Sequence, residues 1–499
     1  MSLSALLTAG ADGAVAITAP GRTPLTHGSL REAVALLARQ LAGRGIGPGD
    51  RVALVLPNGP EMAMAFLGVA GAASAAPLNP AYTAAEYEFY LADLRPKLLI
   101  VPEGFDNPAP AVAERLGIPV ARFHVDEALP AGCFSLGGPE AEGPAPRDGD
   151  EALVLHTSGT TSRPKIVPLS QANLAASARN IAATLRLAPG DHCLNIMPLF
   201  HIHGLMAVVL ASLAAGASIC CTPGFNALRF FAWAEAERPS WYSAVPSMHQ
   251  AILQRAARHG DMATRLGLRF LRSSSASLPE VVFAELEKAF GCPVIEAYGM
   301  TEAAHQMASN PLPPAVRKAG FVGLPAGPEI RILDAKGEEL PQGREGEVCI
   351  RGANVTAGYD NNPEANAAAF THGWFRTGDQ GFLDGEGYLK ITGRIKEIIN
   401  RGGEKISPLE VDEVLLQHPA VAQAVAFALP HAGLGEEVAA AVVLAEGESL
   451  TAGELQDFAA GRLAAFKVPR KILLLAEIPK GPTGKIQRVG LAKALGLVG

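Results

Sequence analysis

The first half of the chain alternates short apolar stretches with longer amphipathic ones. The apolar stretches at 52–56, 97–101 and 152–156 have the length of buried strands. Amphipathic helices are predicted around them, and capping-box patterns at Ser29 and Thr83 mark two helix starts. Because this alternation is typical of parallel strands joined by crossover helices, the sequence predicts an α/β fold.

The pattern changes in the C-terminal part of the chain, where shorter strands and turns predominate. A strand is predicted at 346–351, and Ser407 followed by Pro408 is typical of a helix start. Enough strands and helices follow that start for an independent α+β lobe. We therefore expect a large N-terminal domain over residues 1–395 and a small C-terminal domain over residues 396–499.

Composition and charge narrow the class of protein. Hydrophobic residues make up 48% of the 499 residues, which is enough for a large core and excludes an intrinsically disordered chain. The formal net charge is -7 and no basic block occurs, so a nucleic acid is not expected as a partner. This balance does not argue against small anionic ligands, since one local cluster of cations is enough to bind them.

The cysteines and one apolar run bear on compartment and membrane association. None of the six cysteines forms a C-x-x-C pair, and we expect reduced thiols in a cytoplasmic protein. The uncharged run 204–221 is long enough to suggest a membrane span. Gly216 interrupts this run, however, which favours a buried helix followed by a short strand at 217–221. No membrane partner is therefore expected.

The stretch from Thr157 to Lys165 carries the strongest chemical signal in the sequence. It follows a predicted strand and precedes a helix that begins near Ser170, which is where α/β sheets present ligand sites. Its hydroxyls, its glycine and the two cations Arg163 and Lys165 suit a polyphosphate. The chain contains neither a Walker A loop nor a G-x-G-x-x-G after a strand. On composition alone, a Ser/Thr-rich surface turn is an equal alternative.

This loop resembles the phosphate-binding signature of the acyl-adenylate-forming superfamily, which includes acyl-CoA synthetases, peptide-synthetase adenylation domains and luciferases. Five further segments resemble motifs of that superfamily in the same order, at 198–204, 296–302, 374–379, 393–396 and 481–485. The resemblance implies a large N-terminal αβ domain of several sheets and a small, mobile α+β C-terminal domain. It also implies two reactions. A carboxylate and ATP give an acyl-adenylate and pyrophosphate, and a thiol then takes the acyl group and releases AMP.

The resemblance implies ATP, Mg²⁺ and coenzyme A as cofactors and gives roles to individual residues. Tyr298 would stack on adenine, Asp379 would accept hydrogen bonds from ribose hydroxyls, and Glu302 would bind Mg²⁺. Thr301 would contact the α-phosphate and Arg394 the ribose. The full set expected to bind the nucleotide is Thr157, Ser158, Gly159, Thr160, Thr161, Lys165, Ser275, Ala276, Glu296, Ala297, Tyr298, Thr301, Asp379, Arg394 and Lys485.

The resemblance also implies groups that act in only part of the cycle. Lys485 would reach the reacting carboxylate and the α-phosphate, and Lys396 would be the hinge about which the small domain rotates. His201 would gate the acyl and thiol tunnels, so Lys485, His201 and Thr301 are the expected catalytic residues. Glycines that let pantetheine approach the backbone closely are expected on the coenzyme A side. The expected loop there consists of Gly402, Gly403 and Glu404.

Within the superfamily the sequence most closely resembles oxalate–CoA ligases, through strings that include 300–307 and 400–408. The resemblance implies a small carboxylate, with oxalate preferred, as the substrate. The expected acyl pocket contains His203, Ser275 and His305, whereas a pocket for a lipid chain should be lined by small and apolar residues. A buried second carboxylate requires donors or charge, which histidine could supply as imidazolium.

Several alternatives stay open at this stage. Malonate is the next candidate acid, an aliphatic or aromatic monocarboxylate is another, and a non-catalytic adenylate-binding or carrier-loading protein belongs to a different class. His305 could cap a helix or face solvent instead of lining a pocket. A metal site at His201 and His203 is disfavoured, since no H-E-x-x-H pattern or Cys partner accompanies them. Ile166 replaces the glycine that the superfamily usually has after its lysine, and it would strain the loop if that position requires a positive φ.

Overall fold

A computed structural model gives the fold, and it describes residues 3–157, 164–479 and 486–498. Its strands are β1 (Val15–Thr18), β2 (Leu25–Thr26), β3 (Arg51–Leu54), β4 (Ser74–Pro77), β5 (Leu98–Pro102), β6 (Val120–Phe123), β7 (Glu151–Thr157), β8 (Lys165–Ser170), β9 (His192–Asn195), β10 (Ser218–Cys221), β11 (Trp241–Ala244), β12 (Phe270–Ser273), β13 (Val294–Met300), β14 (His305–Ser309), β15 (Leu324–Pro325), β16 (Glu329–Leu333), β17 (Gly346–Arg351), β18 (Phe370–Thr371), β19 (Trp374–Leu383), β20 (Leu389–Arg394), β21 (Ile399–Arg401), β22 (Glu404–Ile406), β23 (Val421–His431), β24 (Gly435–Leu444) and β25 (Lys471–Leu474).

The helices of the described ranges comprise α-helices, one π-helix and one 3-10 helix. The α-helices are α1 (Leu3–Leu6), α2 (His27–Ala42), α3 (Pro60–Ala70), α4 (Ala84–Leu94), α5 (Ala109–Arg115), α6 (Gln171–Thr184), α7 (Ala211–Ala214), α8 (Phe230–Glu237), α9 (Pro246–Ala256), α10 (Met262–Arg265), α11 (Glu280–Phe290), α12 (Pro363–Ala369), α13 (Pro408–Leu416), α14 (Ala452–Ala460) and α15 (Leu491–Ala494). The π-helix is His203–Leu210 and the 3-10 helix is Thr301–Ala303.

The first sheet has six strands in the order β6-β5-β3-β4-β7-β8. Neighbours from β6 to β7 are parallel, which confirms the predicted parallel strands, whereas β8 runs antiparallel to β7. The helix predicted to begin near Ser170 is confirmed as α6, with Ser170 as its N-cap, but the strand β8 between the polar loop and that helix was not predicted. Thr157 and Lys165, which flank the loop, are register partners in this antiparallel pair.

The second sheet has nine strands in the order β15-β14-β13-β12-β11-β9-β10-β1-β2. Neighbours from β13 to β1 are parallel, and the outer strands β14, β15 and β2 are antiparallel to theirs. Ligands of open α/β sheets bind at the carboxyl ends of the parallel strands. Asn195, Ser243 and Arg272 lie side by side at that edge, on β9, β11 and β12.

The uncharged run 204–221 is folded into the core of the protein. Every residue of the π-helix His203–Leu210 is buried, and α7 follows it directly. Gly216, with a φ of 68°, turns the chain into β10. The predicted sequence of helix, glycine and strand is thus confirmed. Among the described residues, no helix is long and apolar enough to cross a membrane.

Two smaller sheets follow along the chain. One has the order β16-β17-β19-β18 with β20 beside β19, and the other has the order β22-β21-β24-β23 with β25 beside β24. Ser407 Oγ accepts a hydrogen bond from Glu410 N, and Pro408 is the first residue of α13, as predicted. Apolar side chains of α13, α14, β23 and β24 form a core of their own. This separate core fits a C-terminal domain, whose boundary at 395–396 stays a prediction.

Three local expectations have different outcomes. Thr83 and Glu86 form the predicted capping box at the start of α4. The cap predicted at Ser29 is wrong, because α2 begins earlier and Thr26 accepts the hydrogen bond from Ser29 N. The six cysteines, all of which lie within the described ranges, form no disulfide.

Candidate active site

Several predicted site residues lie at the carboxyl ends of β12 and β13 or just after them, and side chains from β8, β19, β20 and the π-helix meet them there. They form three clusters of side chains. We call them the nucleotide group, around Tyr298 and Asp379, the magnesium group, around Glu302, and the acyl group, around His203. Several predicted residues lie outside the described ranges, and nothing is stated of their placement. These residues are Ser158, Gly159, Thr160, Thr161, Arg163 and Lys485.

The nucleotide group is built on a buried carboxylate. Tyr298 Oη donates a hydrogen bond to Asp379 Oδ2, and Arg394 Nε lies 3.2 Å from Asp379 Oδ1. Asp379 and Arg394 face each other as register partners on β19 and β20. Burial raises the pKa of Asp379, while Arg394 and the Tyr298 hydroxyl act in the opposite direction by stabilising the carboxylate. The group therefore presents an oriented acceptor that suits ribose hydroxyls.

The remaining predicted nucleotide contacts on this edge have structural partners. Glu296 Oε1 accepts a hydrogen bond from Leu278 N at 3.1 Å, and the carbonyl of Ala297 accepts one from Ser274 Oγ at 2.8 Å. These bonds fasten the loop after β12 to the neighbouring strand β13. Ser275 and Ala276 lie on that loop. Burial raises the pKa of Glu296 to about 8, so its carboxyl group is mostly protonated at neutral pH.

The magnesium group contains one buried carboxylate, one tyrosine and one lysine. Glu302 lies on the 3-10 helix Thr301–Ala303, and Tyr359 Oη donates a hydrogen bond to Glu302 Oε1 at 2.9 Å. Lys165 Nζ lies 4.3 Å from the centroid of the Tyr359 ring. Burial raises the pKa of Glu302 and lowers that of Lys165, and the attraction between the two opposes both shifts. Tyr359 was not found from the sequence, since no motif marks it.

The chemistry of this group fits Mg²⁺. Among the described residues, no three His, Cys, Asp or Glu side chains come together as a metal cage. Mg²⁺ usually takes one or two protein carboxylates, with phosphate oxygens and water as its other ligands. Glu302 alone therefore suffices as a protein ligand for an ion that arrives with a nucleotide. The same observation gives no support to a metal site at His201 and His203.

The predicted strain at Ile166 is wrong. Ile166 lies within β8 opposite His156, and its φ is outside the left-handed region. Its side chain is buried in the apolar cluster that also contains Val154 and Leu99. Because the chain continues as an extended strand from Lys165, a glycine is not required at this position.

The acyl group brings His203, Ser275 and His305 together. His203 Nδ1 lies 3.0 Å from Ser275 Oγ, and the ring centroids of His203 and His305 are 4.9 Å apart. Each histidine has 2% of its surface exposed, so the alternative that His305 faces solvent is wrong. The three side chains that were predicted to line one pocket are therefore neighbours.

Arg272 belongs to the same group but was missed in the sequence. It lies on β12, where it is 0% exposed, and its Nη1 atom is 3.4 Å from both His203 Nε2 and Ser243 Oγ. Ser243 Oγ lies 2.6 Å from His203 Nε2. A guanidinium group can only donate, so Arg272 offers N–H donors to both of these neighbours. An imidazolium at His203 or His305 stays a prediction, and Arg272 brings a further positive charge to the same cluster.

The backbone around the acyl group is held in uncommon conformations. Ser275, Ala304 and His305 have φ angles of 74°, 45° and 95°, which are left-handed values that side chains other than glycine rarely adopt. Gly299 on β13 packs so closely on β14 that an added Cβ would lie 2.0 Å from His305 O. Such conformations cost about 1–3 kcal/mol each and persist only where the surroundings fix them. The pocket is therefore preorganised by its neighbours.

The residues predicted for the second reaction lie on the C-terminal part of the chain and before the π-helix. An exposed turn between β21 and β22 contains Gly402 and Gly403, whose φ values are 60° and 98°. Glu404 is the first residue of β22. Lys396 is exposed in the turn after β20. The His201 ring lies 4.4 Å from that of Phe200, just before the π-helix.

Comparison with known proteins agrees with this geometry. Residues 8–360 match the AMP-binding enzyme family, and residues 410–485 match the AMP-binding enzyme C-terminal domain. The chain is 48% identical to an oxalate–CoA ligase of Arabidopsis thaliana, over 95% of this chain and 94% of the relative. It is 43% identical to an oxalate–CoA ligase of Saccharomyces cerevisiae, over 89% of this chain and 86% of the relative.

A solved structure supports the same conclusion. The fold resembles the crystal structure of ATP-bound MatB from Rhodopseudomonas palustris, with a TM-score of 0.90, 30% identity and 99% of each chain covered. Both the large N-terminal part and the smaller C-terminal part are included in that match. On its sequence, its fold and the arrangement of its nucleotide group, the chain belongs to the AMP-binding enzyme family.

Proposed function

We propose that this protein is an ATP-dependent acid–CoA ligase that prefers oxalate. The acid is first joined to AMP with release of pyrophosphate, and the acyl group is then transferred to the thiol of coenzyme A with release of AMP. The observation that carries this proposal is the buried polar cluster of His203, Ser275, His305 and Arg272 beside β13, the strand that holds Tyr298. Identity of 43% and 48% to two oxalate–CoA ligases supports the choice of acid.

In the first reaction, the nucleotide group binds and orients ATP. Tyr298 and Arg394 hold the Asp379 carboxylate in a fixed orientation, from which it accepts hydrogen bonds from ribose hydroxyls. Thr301 begins the 3-10 helix directly after β13, the strand of Tyr298, and we assign to it the contact with the α-phosphate. The nucleotide is also proposed to contact Ser275, Ala276, Glu296 and Ala297. The hydrogen bonds of Glu296 and Ala297 hold in place the loop that carries Ser275 and Ala276.

The phosphates and the metal belong to the magnesium group and to the loop beside it. Glu302 binds Mg²⁺, and Tyr359 orients the Glu302 carboxylate. An ion held there would supply positive charge to offset that of the phosphates. Lys165 contributes a nearby cation for the terminal phosphates. The proposed loop contacts are those of Thr157, Ser158, Gly159, Thr160 and Thr161.

In the second reaction, other groups of the chain serve the thioester. Lys485 acts on the reacting carboxylate during adenylation, and rotation at Lys396 then exchanges it for the loop of Gly402, Gly403 and Glu404. The separate core of the C-terminal part supports such a rotation, because a lobe with its own core can move as a body. His201 lies between the end of β9 and the π-helix that begins at His203, and we assign to it the gate of the acyl and thiol tunnels.

The proposed compartment is the cytoplasm. The six cysteines form no disulfide, and five of them are buried. Reduced thiols are the normal state of cysteine in a reducing compartment, which supports this assignment.

ATP–pyrophosphate exchange tests the proposal across acids of different class. The acids are oxalate, malonate, acetate, octanoate and a hydroxycinnamate, each with Mg²⁺ and each with and without coenzyme A. We expect exchange without coenzyme A, fastest with oxalate and slower with malonate. Absence of exchange with every acid would reduce the protein to a nucleotide-binding one, and exchange with octanoate alone would refute the preference for a dicarboxylate.

A further inference from the structure

The guanidinium of Arg272 is buried next to the cluster of His203, Ser275 and His305, at the carboxyl end of a parallel strand. Its register partners are Ser243 on β11 and Ile295 on β13, so it stands in the middle of the nine-stranded sheet. Arg272 is 0% exposed, and it is among the largest fully buried side chains of the described residues. An arginine is rarely buried to this degree unless its charge is paired.

The contacts of Arg272 within the described residues are all with groups that carry no negative charge. Nη1 lies 3.4 Å from His203 Nε2 and from Ser243 Oγ, and Nη2 lies 3.3 Å from Gln306 Oε1. Nε has no hydrogen-bond partner there. These distances exceed the range of about 2.7–3.2 Å that is usual for N–H donors. The guanidinium therefore has donor capacity left for a stronger acceptor.

No acidic side chain balances this charge. Among the described residues, no Asp or Glu forms an ion pair with Arg272 or raises its pKa. The segments outside those ranges, 1–2, 158–163, 480–485 and 499, contain no Asp or Glu. Burial lowers the pKa of Arg272 to about 9, which still leaves the group protonated at neutral pH. A buried and uncompensated cation is unfavourable, so the pocket attracts an anion of the ligand.

We propose that Arg272 binds the second carboxylate of the acid substrate and thereby makes the enzyme specific for short dianionic acids. The inference rests on the proposed ligase function and assigns to it a specificity-determining residue. A guanidinium offers two parallel N–H donors that match the two oxygens of a carboxylate. His203 alone lies between Arg272 and Ser275, whose loop is tied to the strand of Tyr298, so we expect an acid whose two anionic groups are close together.

The neighbours of Arg272 keep its donors in place. Ser243 Oγ accepts a hydrogen bond from Arg272 Nη1 and lies 2.6 Å from His203 Nε2, and His203 Nδ1 lies 3.0 Å from Ser275 Oγ. These contacts connect Arg272 to Ser275, which lies on the opposite side of the His203 ring. His203 and Ser243 therefore act as positioning residues for Arg272, in addition to the contact with the acid that is assigned to His203.

A comparison of two acids of the same shape tests the role of Arg272. Pyruvate has a methyl group where oxalate has a carboxylate oxygen, so it retains one carboxylate and lacks the second charge. In the Arg272→Met variant we expect kcat/KM for oxalate in ATP–pyrophosphate exchange to fall roughly 10²- to 10³-fold. The kcat/KM for pyruvate should be unchanged or higher. Arg272→Lys, which keeps the charge but not the fork of donors, should give an intermediate loss with oxalate.

A matched control is available three residues earlier on the same segment. Arg269 forms an ion pair with Asp191 at 2.9 Å, away from the acyl group. Arg269→Met should lower the thermal unfolding temperature without changing the ratio of kcat/KM for oxalate to that for pyruvate. An equal loss with both acids in Arg272→Met, or no loss with oxalate, would overturn the inference.

A direct binding measurement separates this inference from the proposed function. Equilibrium dialysis with radiolabelled oxalate, in the presence of AMP, needs no turnover. We expect the wild-type protein to bind oxalate and the Arg272→Met variant not to bind it. The two proteins should bind AMP equally well. If wild type catalyses exchange but both proteins retain oxalate equally, the role of Arg272 is refuted and the ligase function stands. If oxalate binding depends on Arg272 but no acid supports exchange, the ligase function is refuted instead.

Discussion

Glu296 on β13 and Glu302 on the 3-10 helix directly after it are two buried carboxyl groups whose surroundings differ. Glu296 Oε1 accepts one backbone hydrogen bond, while its Oε2 has no partner among the described residues. Glu302 receives the Tyr359 hydroxyl and has Lys165 nearby. Glu296 thus holds a loop through a backbone hydrogen bond, whereas Glu302 has a hydroxyl and a cation beside it that oppose the rise of its pKa by burial and suit a metal ligand.

Glu296→Gln should change how stability depends on pH. The pKa of about 8 in the folded protein lies above the ordinary value for glutamate, so the folded state binds the proton more tightly than the unfolded chain. The stability that this group contributes is complete at acid pH and is lost as the pH rises towards 8. Glutamine preserves the acceptor for Leu278 N and carries no charge. The unfolding temperature of the variant relative to wild type should therefore rise between pH 5 and pH 9.

The control for this measurement is Glu285→Gln on the exposed face of α11. It should give a difference from wild type that does not vary with pH over the same range. A constant difference for Glu296→Gln as well would contradict the assignment of Glu296 as a mostly protonated group.

Tyr359→Phe should weaken the response to Mg²⁺. The change removes the hydroxyl that orients Glu302 and preserves the ring beneath Lys165. Loss of such an outer partner typically lowers metal affinity or activity by about 10- to 100-fold. A titration of ATP–pyrophosphate exchange with Mg²⁺ measures the effect as a higher half-saturating concentration.

Tyr388→Phe is the matched control, because the Tyr388 hydroxyl donates to the carbonyl of Val316 outside the magnesium group. It should lower stability and leave the Mg²⁺ titration unchanged. If the two variants respond alike to Mg²⁺, Tyr359 does not orient a metal ligand.

At the scale of elements, the sequence predicted the parallel strands well and the hairpin β7–β8 poorly. β8 contains Pro168, which argues against a strand in sequence-based reasoning. The structure reconciles the two, since β8 is the edge strand of its sheet, where a proline is tolerated. The wrong expectation of strain at Ile166 has the same cause, because the strand β8 was not predicted. Periodicity identifies strands, but the position of a strand within a sheet depends on contacts that are distant in sequence.

Gly299→Ala should disrupt the pairing of β13 with β14. An alanine Cβ would lie 2.0 Å from His305 O, which is backbone and cannot move without shifting β14. We expect a lower unfolding temperature and a loss of exchange activity with oxalate that exceeds the loss of AMP binding. Gly385, with nothing within 4 Å of an added Cβ, provides the control. Gly385→Ala should be close to wild type, and a similar result for Gly299→Ala would contradict the close packing.

At the scale of the whole molecule, the motifs predicted which residues meet, and the fold supplied what the motifs do not contain. The resemblance implied that Tyr298, Asp379 and Arg394 serve one nucleotide and that His203, Ser275 and His305 serve one acid, whereas the direct bonds of Tyr298 and Arg394 to Asp379 were not predicted. Arg272 was not predicted either, because a single arginine in a strand has no local signature. Its significance comes from complete burial without an acidic partner, a property of the whole fold.

The C-terminal part is joined to the rest of the molecule near the proposed hinge. Ser407 Oγ donates to the carbonyl of Thr392, and Arg488 Nε lies 3.3 Å from Glu397 Oε2. Arg488 also pairs with Asp412 on α13. Arg488, which follows Lys485 in sequence, is therefore tied to Glu397, the residue next to Lys396. A rotation at the hinge would move these two segments together.

Lys485→Ala should separate the two half-reactions. Without this lysine we expect ATP–pyrophosphate exchange with oxalate to be lost, because the variant lacks the cation proposed to act on the reacting carboxylate. Formation of acyl-CoA from a supplied acyl-adenylate should persist, since a different arrangement of the small domain serves that step. Lys493→Ala on α15 is a control that should affect neither reaction. Equal loss of both half-reactions in Lys485→Ala would contradict the proposed alternation.

The central claim is that this chain joins oxalate to coenzyme A through an adenylate. The most direct measurement incubates the protein with oxalate, ATP, Mg²⁺ and coenzyme A and quantifies every product by chromatography. The account predicts oxalyl-CoA, AMP and pyrophosphate in equal amounts. Formation of ADP and phosphate instead, or nucleotide turnover without any thioester, would contradict it.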